Sequence, residues 1–182
     1  MTSADQAALD GERDEVDARL SPAARMGKAA ELLVAASCLL STRGELNVAT
    51  SLVDDEGVDL VFNRRGGSRT LAVQVKARTS DSKRVRSDSV MAFVRSATFR
   101  PRPDFDLLVV AVEVTSAQLV AAWLVPSEVF AANAGPPNRA GWLRFYASLK
   151  PTARDRWTAF RVNPPELGAR ILARLATLNQ PR

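Results

Sequence analysis

Gly57-Val58-Asp59-Leu60-Val61-Phe62 and Thr70-Leu71-Ala72-Val73-Gln74-Val75-Lys76-Ala77, joined through Arg64-Arg65-Gly66-Gly67-Ser68, decide how this chain is read. Two runs of apolar and β-branched residues around a Gly-Gly turn predict an antiparallel hairpin, with strands over 58–62 and 70–77. If the turn centres on Gly66-Gly67, the residue numbers of facing partners total about 133, and Asp59 falls opposite Gln74 to within one residue. Neighbours across such a pair stand only ~5 Å apart. Side chains alternate between faces, so Gln74 and Lys76 share one side while Leu60, Val73 and Val75 point to the other. Val61 and Ala72 fall on the Gln74 side, which predicts that something covers it. The expected cover is a helix over residues 22–43, whose only acidic residue is Glu31.

Working outward, Ser21-Pro22 is a good helix start, because serine caps free amides and proline tolerates the first helical position. Ala29, Leu32, Leu33, Ala36, Leu39 and Leu40 predict a wide apolar stripe along that helix, and Gly44 a stop. Leu46–Ala49 reads as a short strand, and Asp54-Asp55-Glu56 as a solvated acidic turn of which one member could assist a metal. Downstream, Ser89–Ser96 reads as a short amphipathic element ended by Pro101 and Pro103. Asp106–Val114 and Gln118–Val125 read as strands, and Ser127–Ala134 as a brief helix. Trp142–Leu149 fits strand or helix equally. Trp157–Val162 fits a strand, and a last helix opens near Pro165-Glu166 and runs to about Leu178. The expected organisation is an acidic extension over 1–20 and one domain over 21–182, with its core at about 22–134 and a C-terminal elaboration.

Composition restricts the chemistry further. The 182 residues are 46% apolar, with one cysteine and no histidine. Histidine triads, HExxH zinc sites and thiolate clusters are therefore excluded. Metal chemistry would have to use oxygen ligands, the preference of magnesium and manganese. The apolar runs at 107–112 and 119–125 are too short to span a bilayer, and no basic start precedes an apolar stretch, so a cytoplasmic protein is expected. Cys38 fits a reducing compartment and reads as helix core. The net charge of +5 conceals six acids and two arginines in the first 20 residues, leaving +9 on the rest. Lys76 to Arg102 alone holds eight basic residues against Asp81 and Asp88. Arg78, Lys83, Arg84 and Arg86 directly follow Lys76 and are suited to gripping phosphates. No base-reading module is evident, and Trp123, Trp142 and Trp157 are expected to anchor the core.

A patch made of Asp59, Gln74, Lys76 and a helix glutamate suits phosphodiester hydrolysis. Carboxylates hold a divalent cation, Gln74 and the backbone carbonyl of Val75 add neutral oxygens, and the cation acidifies bound water. A lysine beside it can orient or deprotonate that water and stabilise the transition state.

Glu31, Gly57-Val58-Asp59-Leu60-Val61 and Gln74-Val75-Lys76 together resemble the signature of the PD-(D/E)xK nuclease superfamily, which includes restriction endonucleases and Holliday-junction resolvases. The resemblance covers roughly residues 22–77 by motif. It implies an α/β fold with a restriction-endonuclease-like core, a central mixed β-sheet flanked by helices, and a helix between the hairpin and the strands at 106–125. It further implies that Asp59 is a metal ligand, Lys76 the catalytic lysine, and Glu31 the helix acid that completes the site. Gln74 stands where the second acidic ligand is usual, as in the QxK members of the superfamily. The implied activity is endonuclease-type cleavage of nucleic acid, DNA above all, with Mg2+ or Mn2+. The implied partners are a second copy or another protein that helps reach both strands. The neutral Gln74 leaves a second reading open, a non-catalytic DNA-binding or protein-interaction module on the same scaffold.

Overall fold

The computed structural model describes residues 22–51, 57–82 and 88–178. The acidic extension over 1–20, the Asp54-Asp55-Glu56 turn, and Lys83, Arg84 and Arg86 lie outside the described residues. Helix α1 (Pro22–Ser41) leads into β1 (Leu46–Thr50), β2 (Leu60–Arg64) and β3 (Thr70–Thr79). Then come β4 (Ser89–Arg95), β5 (Phe105–Glu113), β6 (Gln118–Pro126) and α2 (Ser127–Asn133). Strand β7 (Trp142–Ser148), a 3-10 turn (Thr158–Phe160), β8 (Arg161–Val162), a second 3-10 turn (Pro164–Glu166) and α3 (Leu167–Thr177) complete the order.

Among the described residues six strands form one mixed sheet in the order β1-β2-β3-β5-β6-β8, in which only β3 and β5 run parallel. Strands β4 and β7 pair antiparallel as a separate two-stranded sheet. The hairpin takes the expected register, with Leu60 facing Val73, Val61 facing Ala72 and Phe62 facing Leu71. Strand β5 is buried from Phe105 to Val112, as an almost unbroken apolar run with both faces covered must be.

Strand alternation sorts the sheet's side chains into two layers. On one face Leu60, Phe62, Leu71, Val73, Val75, Leu108 and Val110 pack with Ala30, Val34 and Cys38 of α1 and Leu167, Ile171 and Leu175 of α3. On the other, Ala72, Leu107, Val109 and Trp123 pack with Val90, Ala92 and Val94 of β4, Phe145 of β7 and Phe130 of α2. A central mixed sheet flanked by helices is a restriction-endonuclease-like α/β architecture. Each fully buried large side chain contributes about 1.5–3 kcal/mol.

Five expectations are corrected here. The helix does not cover the Gln74 and Lys76 face; α1 lies on the Val73 and Val75 face, and the β4–β7 sheet covers the other. Its buried stripe is Ala30, Val34 and Cys38, while Leu32 and Leu40 remain 55% and 78% exposed. A helix apolar on nearly every side does not announce its inner face, and small residues at that stripe let it lie close to the sheet. The segment between hairpin and β5, where a helix was implied, contains strand β4, while Trp157–Val162 is mostly a 3-10 turn with only two strand residues. Trp123 and Trp157 are buried, whereas Trp142 is only partly so. No helix among the described residues is long and apolar enough to cross a membrane.

One charged pair is built into the helix-covered layer. Asp106 at the start of β5 is fully buried, and the Arg174 guanidinium of α3 meets both its oxygens, Nε at 3.1 Å from Oδ2 and Nη2 at 3.2 Å from Oδ1. Arg174 Nη2 also donates to the Pro103 carbonyl at 2.6 Å, fixing the approach to β5. Burial pushes the Asp106 carboxyl above its ordinary range, and Arg174 pulls it back. Arg174→Met removes the opposing cation and is expected to cost about 3–5 kcal/mol at neutral pH. A carboxyl raised in the folded state contributes stability below its unfolded pKa of ~4 and loses it as pH rises through the folded value. The variant's deficit in urea unfolding should therefore be largest at neutral pH and shrink as pH falls toward 4.

Candidate active site

At the open end of the hairpin the ladder between β2 and β3 stops at Leu60 and Val73. Beyond it a side chain takes over the role of backbone. The Val75 N–H donates to Asp59 Oδ2 at 2.6 Å, so the carboxylate reaches the middle of the Gln74-Val75-Lys76 triplet. Two main-chain bonds fix the residue that carries it: the Asp59 N–H donates to the Val73 carbonyl at 3.0 Å, and the Ser51 N–H donates to the Asp59 carbonyl at 3.2 Å. Within a β-strand the N–H and C=O of one residue point the same way. The Val75 carbonyl therefore also faces the edge that β2 has left, beside Asp59.

Gln74 projects to the opposite face from Val73 and Val75 and is buried, 6% exposed. Among the described residues its Oε1 is the one buried side-chain oxygen or nitrogen without a hydrogen-bond partner. Such an atom loses its hydration without compensation, a cost of about 1–3 kcal/mol. The amide is held from the other side by Gly57, where an added Cβ would collide with Gln74 Nε2. Gly57 also has φ +70, so both its backbone conformation and its closeness to Gln74 demand glycine. Motif reasoning leaves Gly57 without a role; its signal in the sequence is the acidic turn that runs into a glycine just before a strand. Lys76 follows on the Gln74 side and is half-buried.

Glu31 is placed differently. It flanks the buried stripe of α1, and its carboxylate accepts from Lys28 Nζ at 2.7 Å, one turn back on the same helix. Arg78 turns inward as well: its Nε donates to the Met91 carbonyl of β4, tying the end of β3 to the second sheet. The hairpin thus brings Asp59, Gln74 and Val75 together, with Lys76 next along the strand. Among the described residues no three His, Cys, Asp or Glu side chains group closely enough to hold a metal. A cation here would rest on one carboxylate, the orphaned Gln74 Oε1 and the Val75 carbonyl. That set of hard oxygens fits a magnesium-type ion that completes its shell with water and phosphate oxygens. Cys38 takes no part, since burial pushes its thiol up to about 12 and leaves it unreactive.

No protein-family model matches the chain, and no curated protein does. Among solved structures, the fold is similar to that of a bacterial homing endonuclease, I-Ssp6803I. The TM-score is 0.53 at 20% identity, over 88% of this chain and 100% of that one. At that identity the likeness is one of fold alone.

Gly57→Ala tests the packing of the site without touching its ligands. The left-handed backbone alone should cost about 1–2 kcal/mol, and the clash with Gln74 should add to it. Combined with Gln74→Ala in a double-mutant cycle read by urea unfolding, the two changes should couple by more than about 0.5 kcal/mol; additivity would mean that Gly57 does not hold the amide.

Proposed function

We propose that this chain is a metal-dependent nuclease that hydrolyses nucleic-acid phosphodiester bonds, with DNA as substrate. The observation that carries the reading is the Asp59 carboxylate hydrogen-bonded into the Gln74-Val75-Lys76 triplet, on a nuclease-like fold. Asp59, Gln74 and the Val75 carbonyl would hold Mg2+ or Mn2+, which supplies a more acidic bound water and neutralises charge at the phosphate. Lys76, on the Gln74 side, orients the water that attacks phosphorus and balances the charge that builds on the phosphoryl oxygens as the P–O bond to the leaving sugar breaks. Glu31 is proposed as the helix acid; α1 packs on the Val73 and Val75 face and the carboxylate neutralises Lys28, so Glu31 would have to exchange that partner and reach the sheet edge at Asp59. Lys83, Arg84 and Arg86 are proposed to contact the backbone phosphates, with Arg78 bracing the base of that segment. Cutting both strands would call for a second copy or a partner protein.

A second reading is favoured by one observation, that no three acids gather at the site among the described residues. On that reading the chain binds DNA and does not turn over. Incubation of supercoiled plasmid with Mg2+ or Mn2+ separates the two. The nuclease reading expects nicking that falls at least ~100-fold in Lys76→Ala with the fold retained. It also expects Gln74→Glu to tighten Mg2+ binding by calorimetry, because it adds a charged ligand. Undiminished cleavage by Lys76→Ala would sink the assigned site, and salt-sensitive DNA binding without any cleavage would establish the second reading.

A further inference from the structure

The two-stranded sheet has a clean division of faces. Its inward residues, Val90, Ala92, Val94, Leu143, Phe145 and Ala147, are all buried in the core layer beneath it. Beyond the buried Ser89 and its partner Ser148 at one end, its outward pairs are Met91 with Tyr146, Phe93 with Arg144, and Arg95 with Trp142. None of these six belongs to either hydrophobic core. Tyr146 is 48% exposed, Arg95 and Arg144 are exposed, and Met91, Phe93 and Trp142 are half-exposed. Three aromatic rings, a methionine and two guanidinium groups thus share one small outer face, and neither strand contains an acidic residue. The Arg95 guanidinium already lies over the Trp142 ring, 5.4 Å from its centroid, which holds the indole in place.

This ribbon is joined to the candidate site. It covers the same face of the main sheet that carries Gln74 and Lys76, and Arg78, two residues beyond Lys76, hydrogen-bonds the carbonyl of Met91. We infer that the outer face of β4–β7 is a stacking platform for unpaired bases of a nucleic-acid strand whose backbone runs on to the site. The inference rests on the nuclease-like reading for its choice of partner. The charge supports that choice, since a face with arginines and no acid complements a polyanion. The side chains then select unpaired bases. Bulky aromatic rings separated by arginines offer flat surfaces for bases released from a duplex, whereas paired bases keep their faces stacked on each other.

The test uses the full chain and fluorescein-labelled oligonucleotides of one length, single-stranded and duplex, titrated without divalent metal so that no cleavage intervenes. Anisotropy should show tighter binding of the single strand, by about ten-fold or more. Tyr146→Ala and Arg144→Ala, both at exposed positions, should each weaken it roughly ten-fold, as loss of one stacking or backbone contact does. Arg170→Ala, on α3 across the sheet, should leave it unchanged. Duplex preference, or single-strand binding unaffected by Tyr146→Ala, would overturn the platform. Because this assay reads binding alone, its failure leaves Lys76-dependent cleavage standing. Conversely, a chain that never cleaves can still show the Tyr146-dependent single-strand preference.

Discussion

The bond from the Val75 N–H to the Asp59 carboxylate is the constraint on which the arrangement of the site depends. Where β2 leaves β3 at Leu60, the acid needs a donor to hold it and the Val75 N–H needs an acceptor in place of the lost ladder. Asp59 resolves both demands at once. Its carboxylate replaces the missing rung of the ladder, and the same act brings a negative charge to the middle residue of the Gln74-Val75-Lys76 triplet. Stability and the proposed chemistry thus draw on one side chain. The cost falls on Gln74, whose Oε1 is buried without a partner, and on Gly57, which must hold a left-handed backbone to make room for the amide.

The two faces of the main sheet divide the remaining work. One face is a layer of helices anchored by Val73, Val75 and the Asp106–Arg174 pair, and it fixes where β3 and β5 lie. The other is capped by a small sheet that packs over an aromatic cluster, with rings of Phe130, Phe145, Trp123 and Trp157 in contact. Its outer side is open. Gln74 and Lys76 lie on the second face, so the residues proposed for chemistry border the layer that also presents aromatic and cationic groups to solvent.

Much of the fold and part of the site are legible in the sequence because their signals are local. A Gly-Gly turn between two β-branched runs fixes the register of β2 and β3, and that register brings Asp59 within reach of the Gln74-Val75-Lys76 triplet. The runs at 106–114 and 118–125 are apolar enough to be read as strands wherever they fall. Long-range decisions are not legible. Nothing in the pattern of α1 says that Ala30, Val34 and Cys38 face inward, because leucines occupy its other sides. Trp142–Leu149 cannot be told from a helix, since its alternation makes sense only against β4. Glu31 shows the limit most clearly. Spacing can offer it to the site, while its contact with Lys28 belongs to its own helix. The Gly57 contact with Gln74 and the burial of Asp106 are likewise tertiary facts, visible only when distant segments meet.

The pairing of β4 with β7 also bears on the order in which the molecule can assemble. The hairpin partners Asn63 and Thr70 are seven positions apart, whereas Arg95 and Trp142, the nearest partners in the ribbon, are 47 apart. Closing the longer loop costs more chain entropy, and its reward arrives only after β5 and β6 have provided the surface on which Val90 and Phe145 pack. The carboxylate-bearing hairpin is thus placed among the early structure and the ribbon among the last. A chain emerging from synthesis would carry Asp59 poised at the Gln74-Val75-Lys76 triplet before it owned the outer face that borders them.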